Sequence, residues 1–469
     1  MSGKPADLVV AANRAPASFE IAPGGELVAK HAAGGLAPSL LHALEGREAV
    51  WVAAAGSEAD RRARREGVGA GLEGGATLRL VDLPQEVYQA AYRVVANATL
   101  WFCYHGMFDR VHRPILDRRW YEAWEGFREY SRRFAAEISK SAAEGATVVV
   151  NDYHLALLGG LLAAERPDLA TVHFAHTPFC EPEELRVLPG AVRGELMASM
   201  ASFGSCGFHT ARWAAAYERC LLAETDLSKR RPAPPFVAPL GSDPAELEAV
   251  AASPRCRELA GRLLERLDGR QLVVRSDRVE PSKNLQRGFL AFDELLSRSP
   301  RWRQRVVVVA RAYPSRQDLP EYLAYRAETE ALVGRINERH AAGDWVPIDL
   351  EVADDFEATV AAYACYDVLL VNPLRDGMNL VAKEGPLVNG RAGALVLSEE
   401  AGAYAELAEG AVGIEPFDVS GTADALERAL SMDAGERSRR ARLLAERAGA
   451  HPPASWLAEL LGYARRPVS

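Results

Sequence analysis

Short apolar runs rich in Val, Ala and Leu recur along the chain at 8–12, 50–54, 146–150, 171–174, 272–275, 306–310, 368–371 and 394–398. Most are unbroken rather than alternating, and most lead through a loop into a helical pattern, as at 37–44 and 284–296. A strand that is apolar on both sides has to be covered on both faces, and strands that alternate with helices are joined by crossovers. The pattern therefore predicts an α/β chain of parallel, doubly wound sheets. At 469 residues there are enough strands for two of them. Between the two series, residues 226–239 read DLSKRRPAPPFVAP, where four prolines and a basic cluster stop any helix. The domain switch is predicted near 240–243, giving an N-terminal domain over 1–240 and a second over 241–452. After Pro452-Pro453 a last amphipathic helix is expected within 453–469, packing back toward the N-terminal domain.

Composition narrows the function classes. Lys and Arg number 55 against 64 Asp and Glu, a net charge of −9 that argues against broad nucleic-acid binding. The six cysteines (Cys103, Cys180, Cys206, Cys220, Cys256, Cys365) are scattered without a CxxC pair, so neither a disulfide framework nor structural zinc is expected. The first residues enter a strand without a signal-peptide core, and no apolar stretch reaches membrane-spanning length. A cytoplasmic protein with no membrane partner is expected.

Doubly wound domains bind ligands at the carboxyl ends of their strands, so polar residues there carry weight. Arg14 follows the first strand, where a guanidinium can meet an anion with two hydrogen bonds. Gly34-Gly35 precedes a helical run and could let a phosphate approach the backbone, although such a pair is more often a tight turn. Asp152 and His154 end the run VVVNDYH, and His176 closes HFAH; a histidine in such a place is as often a satisfied core residue. In RSDRVEPSK, Arg278 and Lys283 are five apart after a strand, a spacing that can pinch a diphosphate or simply form a solvated basic loop. In PLRDGMNLVAKE, Asp376 can accept sugar hydroxyls and a helix beginning near Met378 would aim its N–H groups at a phosphate. Glu384, two turns on, could hold a ribose diol; the plain alternative is a helix cap. Trp51, Tyr92 and Trp101 carry N–H or O–H groups able to donate to a phosphate, but composition alone leaves them as core aromatics.

Taken together, NR, AGGL, NDYH, HTPF, RxxxSK, PSR and PLRDGMNLVAKE run in one collinear order from residue 8 to about 432 and resemble the trehalose-6-phosphate synthases. These are retaining glycosyltransferases of family 20 with the GT-B fold, in which two Rossmann-like domains face a deep cleft. The resemblance implies transfer of glucose from a nucleoside diphosphate to glucose 6-phosphate. By position, Arg14, Tyr92, Trp101 and Arg316 match the residues on the acceptor's phosphate, with Trp51 bordering that pocket. Asp152 matches the residue that positions the acceptor hydroxyl, and His176 the histidine beside the donor glucose. Arg278 and Lys283 match the pair on the donor diphosphate, approached by Gly35. Asp376, Gly377, Met378 and Asn379 match the loop on the glucose hydroxyls and diphosphate, Leu380 and Val381 continue it, and Glu384 matches the ribose carboxylate. In the family's front-face mechanism the leaving phosphate takes the acceptor proton. The resemblance implies no cofactor and no divalent metal, and it leaves room for a homo-oligomer. No carboxylate pair at glycosidase spacing is evident.

The chain also departs from the family pattern. The loop that usually reads RLDYSKG is RVEPSKN here. Arg311, in ARAY, stands where many relatives have an aliphatic residue near the base, and Asp354 and Asp355 replace aromatic and basic residues. Carboxylates can accept from the N1–H and N2–H₂ edge of guanine, so GDP-glucose is slightly favoured over UDP-glucose. The alternatives are a validoxylamine-phosphate-type enzyme, which couples cyclitols through nitrogen on the same scaffold, and a catalytically silent phosphosugar-binding homologue. The intact DGMNLVAKE speaks for the glucosyltransferase over the first. The second should have lost a charged cleft residue, and none is lost.

Overall fold

A computed structural model describes residues 4–31, 36–67, 72, 75–225 and 232–466. The chain divides into two compact units, Met1–Leu240 with Pro453–Ser469, and Gly241–Pro452. In the first unit the strands are β1 (Ala6–Ala12), β2 (Ala17–Ile21), β3 (Leu27–His31), β4 (Val50–Ala54), β5 (Thr77–Val81), β6 (Ala142–Asn151), β7 (Ala170–Ala175), β8 (Ser205–Phe208) and β9 (Phe236–Val237). Apart from the antiparallel β2–β3 hairpin they form one sheet in the order β5-β4-β1-β6-β7-β8-β9, parallel throughout.

The second unit holds β10 (Gln271–Arg278), β11 (Val306–Tyr313), β12 (Ile348–Val352), β13 (Val368–Val371), β14 (Ala394–Ser398) and β15 (Val412–Ile414). Their order is β12-β11-β10-β13-β14-β15, again parallel. Both sheets are doubly wound: the order reverses beside the first strand of each, between β1 and β6 in one and between β10 and β13 in the other. Such a reversal opens the crevice where ligands of this architecture bind.

The unbroken apolar strands are explained by what they face. Along β10, Val273 enters one core with Phe289, Phe292 and Leu426, while Leu272 and Val274 enter another with Tyr363, Tyr366 and Leu444. β13 and β14 divide in the same way, Val368 and Val396 to the first core and Leu369 and Leu397 to the second. Because side chains alternate across a strand, two cores require every position to be apolar.

The helix Pro453–Tyr463 completes the first unit. Trp456 is buried and its Nε1 donates to the Ala238 carbonyl at 3.2 Å, the Tyr463 ring stacks on Phe236 at 4.0 Å, and the Tyr463 carbonyl accepts from Ser205 Oγ at 2.8 Å. The Arg465 carbonyl accepts from the Thr171 N–H at 2.9 Å, alongside β7. Among the described residues no helix is long and apolar enough to cross a membrane. Trp456→Ala should cost about 3–5 kcal/mol in urea unfolding, the range for emptying a buried tryptophan site; a loss below 1 kcal/mol would mean that the helix is not part of this core.

Candidate active-site residues at the strand ends

In the first unit the polar residues gather just beyond β1, β6 and β7. Asn13 is fixed by the Tyr130 hydroxyl, which donates to its Oδ1 at 2.7 Å, and by its own carbonyl, which accepts from the Ala54 N–H at 3.2 Å. Arg14 next to it is exposed and donates to the Tyr92 hydroxyl at 3.1 Å. Tyr92 lies on a helical segment running from Gln85 to Tyr104, wound in wide i→i+5 turns between Gln89 and Leu100. That winding is rare in ordinary helices and shifts where side chains point. The Tyr92 ring stacks on His154 and on Tyr88. Trp51 is placed differently from a phosphate donor: it is buried, and its Nε1 donates to the Arg14 carbonyl at 3.2 Å. Trp101 is also buried, stacked on His105 at 4.1 Å. Gly35 lies outside the described residues.

Asp152 follows β6 with φ 69° and ψ 170°, a conformation that an L residue holds only when its surroundings enforce it. Here its N–H donates to the Phe174 carbonyl at 2.8 Å, its carbonyl accepts from His173 Nε2 at 3.2 Å, and its carboxylate accepts from the His176 N–H at 3.2 Å. Burial holds His173 down to about 4, so it donates as a neutral ring. His176 is likewise kept well below its ordinary value, first by burial and then by the neighbouring His209 and His173. Its Nε2 stands 3.0 Å from Asn151 Oδ1, and the Asn151 amide is oriented by donating its Nδ2 to the Ala11 carbonyl at 3.2 Å. The proton is therefore assigned to Nε2, and Nδ1 carries the lone pair.

In the second unit the corresponding set follows β10, β11 and β13. The turn Pro281–Lys283 is held from beneath by buried Arg275, which donates to Asp277 at 2.8 Å and to the carbonyls of Lys283 and Leu285 at 3.2 Å. Asn284 closes the turn at φ 56°, and its Nδ2 donates to the carbonyls of Asn372 (3.0 Å) and Pro416 (2.7 Å). Asparagine tolerates this left-handed conformation better than most residues, so the change from the family's glycine leaves the turn intact. Lys283 is buried and ion-paired with Asp376. Burial alone would lower its pKa, but Asp376 and Glu280 outweigh it and the ammonium ends above its ordinary value. Arg278 is exposed and pairs with Glu280 at 3.2 Å. Arg316 belongs to this unit too; it sits in the loop after β11 at φ 38°, 3.6 Å from the other oxygen of Glu280.

The loop after β13 enters its helix later than the sequence suggests. The helix is Val381–Val388, so Asp376 to Leu380 are loop, Val381 opens the helix and Glu384 stands in its first turn. Two features delay it. Asn379 has φ 79° and uses its Oδ1 to accept from the Ala382 N–H at 3.3 Å. The Gly377 and Gly402 backbones are also in close contact, since a Cβ on Gly402 would collide with the Gly377 carbonyl oxygen. Asn379 Nδ2 donates to Asp376 at 3.1 Å, and Met378 is buried with its carbonyl accepting from Ala403.

The residues expected to select the base are not alike. Asp355 is already engaged: it caps the helix Phe356–Cys365 through the Ala358 N–H at 3.0 Å and pairs with Arg255. Arg311 pairs across β11 and β12 with Glu351 at 2.6 Å. Asp354 is exposed. Sequence reasoning passed over Glu280, Asn151 and Arg275, buried polar groups inside or beside the quoted motifs; an acid two residues from one cation and three from another was the available signal for Glu280. Among the described residues no group of three or more His, Cys, Asp or Glu is arranged to hold a metal ion.

Glu384 is half-buried, and burial raises its carboxyl to about 7. Its folded-state value lies above the unfolded one, so the neutral acid stabilises the fold at low pH and that stability is lost as pH rises through about 7. Glu384→Gln should then raise the unfolding temperature more at pH 8 than at pH 5; equal gains at both would refute the assignment.

Residues 6–466 match the model of Glycosyltransferase family 20. The trehalose-6-phosphate synthase of Mycobacterium sp. (strain JLS) is 33% identical over 470 residues, covering 96% of this chain and 94% of that one. A solved alpha,alpha-trehalose-phosphate synthase (UDP-forming) from Burkholderia xenovorans, in complex with glucose-6-phosphate, superposes with a TM-score of 0.84 at 28% identity, over 97% of this chain and 99% of the other. The trehalose-6-phosphate enzyme of E. coli bound with UDP-2-fluoro glucose gives 0.83 at 28% identity, over 97% and 98%. With its strand-end residues carried on two doubly wound sheets and the family model matched along nearly its whole length, the chain belongs to glycosyltransferase family 20.

Proposed function

We propose that the protein transfers glucose from a nucleoside diphosphate to the anomeric hydroxyl of glucose 6-phosphate, with retention, giving α,α-trehalose 6-phosphate. What carries this reading is the set beyond β10 and β13, where Arg278, Lys283, Asp376 and Glu384 supply cations for a diphosphate and carboxylates for sugar hydroxyls. In the reaction the bond from glucose C1 to the diphosphate oxygen breaks as C1 bonds to the acceptor oxygen, and the acceptor's proton passes to the leaving phosphate. Both events occur on one face, so the configuration is kept. Arg278 and Lys283 meet the charge that grows on the leaving group, a contribution realised most fully in the transition state. The mechanism asks for no divalent metal, because these two cations supply the charge.

Asp152, locked by its backbone, accepts from the acceptor hydroxyl, and neutral His176 stands beside the donor glucose. In the first unit Arg14 with Tyr92 offers donors for the acceptor's phosphate, Trp51 serving through the Arg14 carbonyl and Trp101 as a buried wall. In the second unit Arg316 is a further cation whose family counterpart meets that phosphate. Ligand binding exchanges the Lys283–Asp376 pair for Lys283 on the diphosphate and Asp376 on a glucose hydroxyl. The ligands in the Burkholderia and E. coli structures support both substrates. For the base, the argument for guanine loses Asp355 to its helix cap and Arg255, leaving exposed Asp354 alone. The UDP-forming Burkholderia relative supports UDP-glucose, with GDP-glucose the competitor that Asp354 favours.

Incubation of glucose 6-phosphate with UDP-, GDP- or ADP-glucose should yield an α,α-1,1-linked disaccharide phosphate, identified by mass and anomeric NMR. Silence with every glucose donor, followed by turnover of a GDP-activated cyclitol with an amino-cyclitol phosphate, would overturn the reading. Arg278→Ala and Lys283→Ala should each lower kcat by about 10²–10³, the usual loss for one donor to developing charge.

A further inference from the structure

Glu280 is buried beside Arg278 and Arg316, 1% exposed at the residue level. Its two oxygens are used separately. Oε1 lies 3.2 Å from Arg278 Nη2 and accepts from Ser282 Oγ at 3.4 Å; Oε2 lies 3.6 Å from Arg316 Nη1 and accepts from Ser315 Oγ at 3.4 Å. One carboxylate thus spans from the end of β10 to the loop after β11. On its other side Arg316 is in contact with the Tyr322 hydroxyl, its guanidinium 5.3 Å from that ring. A guanidinium is a planar fork of five N–H donors, so its geometry allows a carboxylate to orient one edge while another edge meets a phosphate. The three groups sum to one positive charge, which leaves the cluster attractive to an anion.

We infer that Glu280 is a positioning residue that orients both phosphate-binding arginines at once, Arg278 toward the donor diphosphate and Arg316 toward the phosphate of glucose 6-phosphate. The inference rests on the substrate assignment proposed above. A buried carboxylate shared by two cations cannot be removed at one of them only. Replacing it by an amide takes away the charge, turns an N–H group toward one guanidinium and leaves two like charges without their common counter-ion. A residue that served the fold alone would lower stability without moving two binding constants together.

The test is calorimetric titration of the full chain with UDP alone and with glucose 6-phosphate alone. Glu280→Gln should weaken both ligands by about tenfold or more, the scale expected when a buried charge partner is lost. Glu280→Asp, which keeps the charge on a shorter arm, should recover part of both. Arg316→Ala should weaken glucose 6-phosphate and spare UDP. If Glu280→Gln fails to fold, the KM values of Glu280→Asp decide: both should rise. A Glu280 variant with wild-type circular dichroism that weakens one ligand only, or neither, overturns the inference and leaves the proposed function standing. A wild-type protein that binds neither ligand overturns both.

Discussion

A parallel sheet has to be covered on both faces, because its strands are joined by helices that cross over it and its strands are apolar on both sides. In both units this confines chemistry to the strand ends. Most of the residues given roles in the proposed function follow β1, β6 and β7 in the first sheet and β10, β11 and β13 in the second, while Trp51 lies in β4 and Tyr92 and Trp101 on the helical segment from Gln85 to Tyr104. The backbone there is unusual as well. Asp152, Asn284, Arg316 and Asn379 all have positive φ without being glycine. Each such residue stores about 1–3 kcal/mol that its surroundings must over-determine, and strain of this kind collects where side chains have to be aimed. The hydrogen bonds around Asp152 and the Asn284 clamp are what hold two of these positions.

The second unit shows how cations can be kept ready without a ligand. Lys283 and Lys383 are both buried and both paired with a carboxylate, Asp376 and Glu406 respectively. For Lys383 burial prevails and the pKa falls; for Lys283 Asp376, Glu280 and Asp277 together outweigh burial and it rises. Lys383 packs on the covered side of its helix and anchors it. Lys283 stands in the turn after β10, where the proposed function places the donor diphosphate. Lys283 has three acids acting on it where Lys383 has Glu406.

Much of the architecture was legible because strands that serve two cores cannot hide their composition: 272–275, 306–310, 368–371 and 394–398 all lie within strands. Of the strands that went unread, β2 and β3 form the separate hairpin, β8 (SCGF) and β15 (VGI) are too short and glycine-containing to make an apolar run, and three more are marked by position or length. β5 and β12 lie at sheet edges and carry polar residues, TLRLV and IDLEV, while β9 has two residues inside a proline-rich stretch. At the site, motif residues could be read by position, but their states could not. Nothing in the letters says that the Trp51 indole is spent on a carbonyl, that Asp355 caps a helix, or that the helix at Val381 starts late because Asn379 is left-handed. Those outcomes depend on partners distant in sequence.

The first unit is discontinuous: β7, β8 and β9 are flanked by residues 453–465, which come after all 212 residues of the second unit. Synthesis from the N-terminus therefore produces the first sheet long before its last helix exists. At ordinary elongation rates the interval is on the order of ten seconds or more. During that time the surface around Ala238 and Phe236, later covered by Trp456 and Tyr463, is open, while the second unit, continuous in sequence, can fold as soon as it emerges. Completion of the first unit is in this sense a timing event, set by the order in which the chain is made.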